Sequence, residues 1–130
     1  MNDPIFLTLD HILQIHAYQI EEHGGSAALL NMDLLESALA MPRQSFGDQY
    51  AHADLAGMAA AYLFHIVKNH AFEDGNKRTG VHASLIFLDL NGFPLDITDD
   101  DVVSLGIGIA TGEMSKEGAA GFFRKHLGAK

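Results

Sequence analysis

LAGMAAAYLFHIVKN-HAFEDG-NKRTGVHASLIFLDL, residues 55–90, decides how the chain folds. Its first block is apolar nearly all round, the pattern of a helix buried at the centre of a domain. Asp54 stands before it as an N-cap. The block from Asn76 to Leu90 predicts a second buried helix, with Asn91-Gly92 as its stop and Pro94 just beyond. The six residues between, His70 to Gly75, form a short polar loop around Ala71 and Phe72 and break the period. Two core helices joined by a short loop need only a turn, and aspartate, glycine and asparagine suffice for one. That requirement covers Asp74, Gly75 and Asn76. It does not cover His70 at the loop entrance, nor Lys77 and Arg78 in the first turn of the next helix, where cations oppose the helix dipole at a cost of about 0.3–1 kcal/mol.

A bound anion would remove the conflict. A helix N-terminus presents unpaired N–H groups and positive potential. Gly75 lets a phosphate approach the backbone, Lys77 and Arg78 add charge-assisted hydrogen bonds, and arginine grips two oxygens at once. Asp74 would repel a bare phosphate but suits Mg²⁺, which is held by one or two carboxylates together with substrate phosphates. Asn76 can ligate or hydrogen-bond the same group. His70 is a general base for near-neutral pH, and Phe72 is an apolar residue that pins the loop to the core. The pattern is not a P-loop, because GxxxxGK[ST] is absent.

The remaining chain reads as helical. Thr8 caps a helix through Ile12, Ile15, His16 and Gln19 to about Glu22, stopped at Gly24-Gly25. Asn31 or Met32 to Ala40 is a short helix ended by Pro42. Arg43 to Ala53 lacks a helical period, and Gly47-Asp48 would turn a hairpin or an irregular loop. Thr98 with Asp99 to Asp101 forms a cap for VVSLGIGIATG, and Ser115 caps a last helix through Phe123 and Arg124. The expected class is all-α, a compact helical domain with a small β-hairpin flap.

The chain has 130 residues, the usual size of one domain, and 48% are hydrophobic, enough for a real core. Residues 1–130 are therefore read as a single domain. No apolar run would span a bilayer, and MNDPIFLTLD has no basic region before an apolar one, so no secretory signal is visible. The absence of cysteine excludes disulfides and thiolate chemistry and fits a cytoplasmic protein. A net charge of −9 argues against general binding to nucleic acid, which needs a basic face. Neither nucleic acid nor membrane is an expected partner. Lys68, Lys77 and Arg78 nevertheless fall close together. Lys68 could reach a phosphate or snorkel from the buried helix.

His70, Phe72, Asp74, Gly75, Asn76, Lys77 and Arg78 match His-x-Phe-x-[Asp/Asn/Glu]-[Gly/Ala]-Asn-[Gly/Lys]-Arg at every defined position, and so the chain closely resembles the Fic/Doc family. The buried helix before the motif, the Arg43–Ala53 loop and ASLIFLDLNGFPL after the motif extend the resemblance over most of the chain. The resemblance implies that His70 activates a hydroxyl on a target protein and that Asp74 binds Mg²⁺. It implies that Gly75 helps form an anion hole, and that Asn76, Lys77 and Arg78 hold phosphates. Arg43, Ser45, Phe46, Gly47, Asp48, Gln49 and Tyr50 would correspond to the family's flap, which aligns the target by strand-like pairing.

Two departures bear on the reaction. Family members that transfer AMP resemble this chain but carry Gly in place of Lys77 and a second arginine in place of Val81. Lysine with no second arginine is the pattern of the Doc-like branch. That branch implies a toxin–antitoxin kinase with the ATP reversed, phosphorylating a threonine of elongation factor Tu and arresting translation. The resemblance thus implies ATP and Mg²⁺ as cofactors, a Ser/Thr hydroxyl on a protein target and a cognate antitoxin. Adenylyl or other nucleotidyl transfer is an alternative, for which Val81→Arg would be the discriminating change; a non-catalytic nucleotide-binding module is a third. The family's self-inhibitory [Ser/Thr]-x-x-x-Glu-[Gly/Asn] pattern is not met at Glu117-Gly118, because Glu113 stands where Ser or Thr belongs.

Other features read more simply. His11 with His16, and His65 with His70, are spaced five apart and lie on different helix faces, so core or surface histidines outweigh a metal site. His82, one turn into its helix, reads as structural. GIGIATG lacks GxGxxG and follows no strand, which leaves close helix packing. Asp99–Asp101 reads as a helix cap rather than a Ca²⁺ site.

Overall fold

The computed structural model describes residues 3–128; Met1, Asn2, Ala129 and Lys130, which belong to the 1–130 domain reading, lie outside the described residues. Six helices run in chain order: α1 Leu9–His23, α2 Met32–Ala40, α3 Leu55–Asn69, α4 Asn76–Leu90, α5 Asp99–Thr111 and α6 Lys116–Gly128. A 3-10 turn, Met41–Arg43, follows α2 directly. An antiparallel hairpin comes next, with Ser45–Phe46 (β1) opposite Gln49–Tyr50 (β2). The class is all-α with one small hairpin, as the periodicity predicts.

Local chemistry sets the boundaries. Thr8 and His11 form a reciprocal capping box on α1. Asn31 accepts from the Leu34 N–H, Asp54 from Gly57, and Ser115 from Gly118. Thr98 and Asp101 make a second capping box, with Asp99 and Asp100 also in the first turn of α5. α2 ends at Ala40, just before Pro42, as expected; Pro42 then sits inside the 3-10 turn that follows, where its missing N–H costs little.

α3 is the centre of the molecule. Ala56, Ala59, Ala60, Ala61, Tyr62 and Leu63 are all buried, and α2, α4, α5 and α6 each pack on it. The small alanines let neighbouring helices approach from several sides. The α3–α4 contact is close at Gly80, where a Cβ would stand 2.8 Å from Val67 Cγ2 and 3.1 Å from the Leu63 carbonyl oxygen. Phe87, Leu88, Val102, Leu105, Ile109 and Phe123 complete the apolar core. Tyr62, wholly buried, accepts the Leu7 N–H at 2.9 Å, and burial pushes its phenol up to about 12. This bond ties the segment before α1 to the central helix.

Candidate active site

The motif is the α3–α4 connection, and its residues are held by backbone as much as by side chains. α3 ends at His70, the only non-glycine residue with positive φ (49°) among those described. This left-handed conformation costs a non-glycine residue about 1–2 kcal/mol. It turns the chain sharply, and His70 is left exposed at the end of a buried helix.

Asn76 closes the loop from the other side. It is 4% exposed, and its Oδ1 accepts the Phe72 N–H at 3.1 Å while its Nδ2 donates to the Phe72 carbonyl at 2.8 Å. Those two bonds fix the orientation of the amide. Nδ2 is therefore also the donor to Nδ1 of His70, at 3.2 Å. As placed, a neutral His70 carries its proton on Nε2. For Nε2 to accept a proton instead, the proton must move to Nδ1. The His70 contact, the longest of the three, then opens while the two bonds to Phe72 persist.

Phe72 is 1% exposed and forms a bridge with Leu29. The segment from Ala28 to Asn31 pairs with the loop: Leu30 and Asn31 N–H groups donate to the Ala71 carbonyl, and Glu73 N–H donates to Ala28. Asp74 is exposed, and its Oδ2 accepts the Ser26 N–H at 2.7 Å. A Cβ on Gly25 would come 3.0 Å from the Asp74 Cβ, so this Gly-Ser corner fits closely around the carboxylate. Gly75 is the N-cap of α4 at φ 82°. A left-handed residue leading into helical ones makes a concavity of N–H groups suited to anions.

Lys77 is exposed, and its stem packs on Gly106 of α5, where a Cβ would lie 2.9 Å from the Lys77 Cβ. Arg78 Nη1 donates to Asp99 Oδ1 at 3.1 Å, and this neighbour lowers the Asp99 pKa. Asp99 is 72% exposed, so the ion pair is one that an incoming phosphate can outcompete. Lys68 Nζ reaches the Ala110 carbonyl near the C-terminus of α5 at 3.5 Å. Asp101 caps α5, Asp99 pairs with Arg78, and Gly106 is a helix-packing position.

In the hairpin, Ser45, Phe46, Gly47, Asp48 and Gln49 are exposed, and Phe46 is 71% so. Arg43 and Tyr50 face the other way. The Arg43 guanidinium lies over the Phe6 ring at 5.5 Å, Tyr50 meets the same ring edge-on, and the Tyr50 hydroxyl donates to Asp3 at 3.2 Å. A cavity of about 880 Å³ adjoins the hairpin, its rim including Asp3, Asp48 and Asp54 and no lysine or arginine. That chemistry disfavours phosphate, whereas the first turn of α4 favours it.

The donor set at the motif fits Mg-ATP: one carboxylate braced by a backbone N–H, a glycine-opened helix N-terminus and two cations. No cluster of three or more metal-ligating side chains occurs among the described residues. Mg²⁺ does not need one when phosphates supply other ligands. Val81 is fully buried in the core. An arginine there would place a charge among apolar side chains, so Val81→Arg would test folding before nucleotide orientation.

Sequence reasoning missed three contributors: His16, Ser26 and Asp99 as the partner of Arg78. His16 was legible as a buried residue of α1, in one stripe with Gln19, but not as a partner of the motif loop. Ser26 acts through its backbone and left no readable signal.

Residues 6–88 match the Fic/DOC family. The chain belongs to that family, and the motif and the helices that carry it fall within or beside the matched span. It is 27% identical over 120 residues to Protein kinase doc of Escherichia phage P1, covering 92% of this chain and 94% of that one. It is 39% identical over 72 residues to Toxin Doc of Mycolicibacterium smegmatis (strain ATCC 700084 / mc(2)155), spanning about half, 55%, of each chain. No helix among the described residues is long and apolar enough to cross a membrane.

Proposed function

We propose that residues 1–130 form a single-domain protein-modifying transferase of the Doc type, which moves the γ-phosphoryl group of ATP to a Ser or Thr hydroxyl of a protein. The observation that carries this reading is the joint placement of His70, Asp74, Gly75, Lys77 and Arg78 at one helix N-terminus, with Lys77 and the buried Val81 in place of the adenylyl-transfer pattern. The relative named as a kinase, matched over nearly its whole length, supports it. The relative named as a toxin supports a toxin reading; a cognate antitoxin, action in the cytoplasm and elongation factor Tu as the first target to try are part of the same proposal.

The N–H groups at Gly75 and the first turn of α4, with Lys77 and Arg78, bind and orient phosphate oxygens. Asp74, braced by Ser26, would hold Mg²⁺, which neutralises phosphate charge when bound. His70, in the tautomer with its own proton on Nδ1, takes the proton from the attacking hydroxyl at Nε2. The hydroxyl oxygen bonds to the γ-phosphorus, the bond to the β-phosphate bridging oxygen breaks, and ADP leaves. The exposed edge of the hairpin, Ser45 to Gln49, would pair with the target backbone.

The test is intact-mass spectrometry of elongation factor Tu incubated with the protein, ATP and Mg²⁺, beside His70→Ala. We expect a phosphate-sized gain that falls at least about 100-fold in His70→Ala, with Mg-ATP binding retained. An AMP-sized gain would replace the kinase reading with nucleotidyl transfer. A gain unaffected by His70→Ala would refute the mechanism.

A further inference from the structure

We propose that His16 of α1 is a positioning residue that aims the Gly75 N–H into the anion site. The proposal rests on the reading of the α4 N-terminus as a phosphate site. His16 is 3% exposed, and its Nε2 lies 2.8 Å from the Asp74 carbonyl oxygen. A carbonyl only accepts, so His16 is the donor and carries its proton on Nε2. Its ring also stacks on Phe72, centroids 3.6 Å apart and planes 9° from parallel. A Cβ on Gly75 would stand 3.3 Å from His16 Cδ2 and 3.2 Å from Ile20 Cδ1. One imidazole from α1 therefore touches three features of the motif loop: the Phe72 ring, the Asp74 carbonyl and Gly75.

The consequence follows from the planarity of the peptide. In a trans peptide unit the C=O and the N–H point in opposite directions. The Asp74–Gly75 unit has its carbonyl pinned inward on His16, so the N–H of Gly75 points outward, towards the mouth of the helix terminus. Gly75 is otherwise the freest residue of the loop, since glycine explores both halves of φ. Without His16 the unit can rotate and take its N–H out of line. A donor aimed beforehand costs no reorganisation when charge develops on the transferring group.

Two variants separate positioning from packing. His16→Phe keeps a ring to stack on Phe72 and deletes the donor; His16→Gln keeps a donor at a similar reach and deletes the ring. Both are compared with wild type by thermal melting, by transfer kinetics, and by the Gly75 amide resonance during titration with pyrophosphate. We expect the Gly75 amide to shift in wild type and His16→Gln and to lose that response in His16→Phe. We expect kcat to fall about 10–100-fold in His16→Phe, with KM for ATP changed only severalfold, and His16→Gln to recover most of it. Equal Gly75 responses in all three proteins, or melting changes without a kcat difference between the variants, would overturn the proposal. If the wild type transfers nothing to any target, the transferase reading fails, and the amide titration still decides whether His16 aims Gly75.

Discussion

The molecule has two polar segments that lead into or out of α3, and they are built in opposite ways. The motif loop after α3 is tied at almost every residue: Ala71 to Leu30 and Asn31, Phe72 to Asn76, Glu73 to Ala28, and Asp74 to both His16 and Ser26. The hairpin before α3 is held by its own short ladder, by the Ala51 N–H donating to Gln44, and by Arg43 and Tyr50 at its base. Its tip, from Ser45 to Gln49, touches solvent. Phosphoryl transfer demands preset geometry within fractions of an ångström, and a strand edge that receives a target gains from being open. The difference teaches that, on the proposed reading, the two tasks would be divided along the chain: rigidity at the loop proposed for bond making, and exposure at the hairpin proposed for docking.

Phe72→Ala should break the rigid half and have the largest effect. Phe72 fills the space between the His16 ring and the Leu29 bridge and is 1% exposed. Truncating a buried phenylalanine costs about 3–5 kcal/mol. Urea unfolding should show that loss, with Mg-ATP binding weakened in the fraction that remains folded. A loss under about 1 kcal/mol would mean that the loop is held by its backbone bonds alone.

Much of this division was legible in the sequence. The apolar run from Leu55 and the broken period at His70 marked the helix pair, and acids, glycine and cations out of place at a helix start pointed to the anion site proposed above. Capping residues marked the helix starts at Thr8, Asp54, Thr98 and Ser115, because a cap is a local interaction among neighbours in sequence. His16 and Ser26 were not legible as parts of the site. Their bonds to Asp74 cross 58 and 48 residues of chain, and no local rule links positions so far apart. The inward turn of Arg43 and Tyr50 depends likewise on Phe6 and Asp3, contacts made only once the N-terminal segment docks.

α3 supports both segments, so loosening it should sharpen the comparison. His65, half-buried on α3, accepts from Lys116 of α6 at 3.1 Å; burial first, and then the Lys116 charge, push its pKa down to about 4. His52 is shifted the same way by burial and by Lys116. An unfolded histidine takes its proton near pH 6.5, and folded His65 resists until about 4. The stabilisation is therefore complete above about pH 6.5 and is lost as pH falls towards 4, by about 1–2 kcal/mol after solvent screening. His65→Gln retains an acceptor for Lys116 without titrating, and its stability should fall less between pH 7.5 and 4.5 in thermal melts. Parallel curves for the two proteins would remove His65 from the account.

Phe46→Ser should have the smallest effect on the fold and tests the open half. At 71% exposure the ring adds little to stability, so the melting midpoint should stay within about 0.5 kcal/mol equivalent of wild type. Mg-ATP affinity should be unchanged, because the motif loop is braced by other residues. What should change is KM for the protein target, raised about three- to tenfold, since an exposed aromatic on a strand edge supplies contact area to a docking segment. A changed kcat with constant KM would instead place the hairpin tip in the chemistry and end the division of labour drawn between the two segments. Constant values of both would leave the target to be held elsewhere, and β1 and β2 would be reduced to a simple connection between α2 and α3.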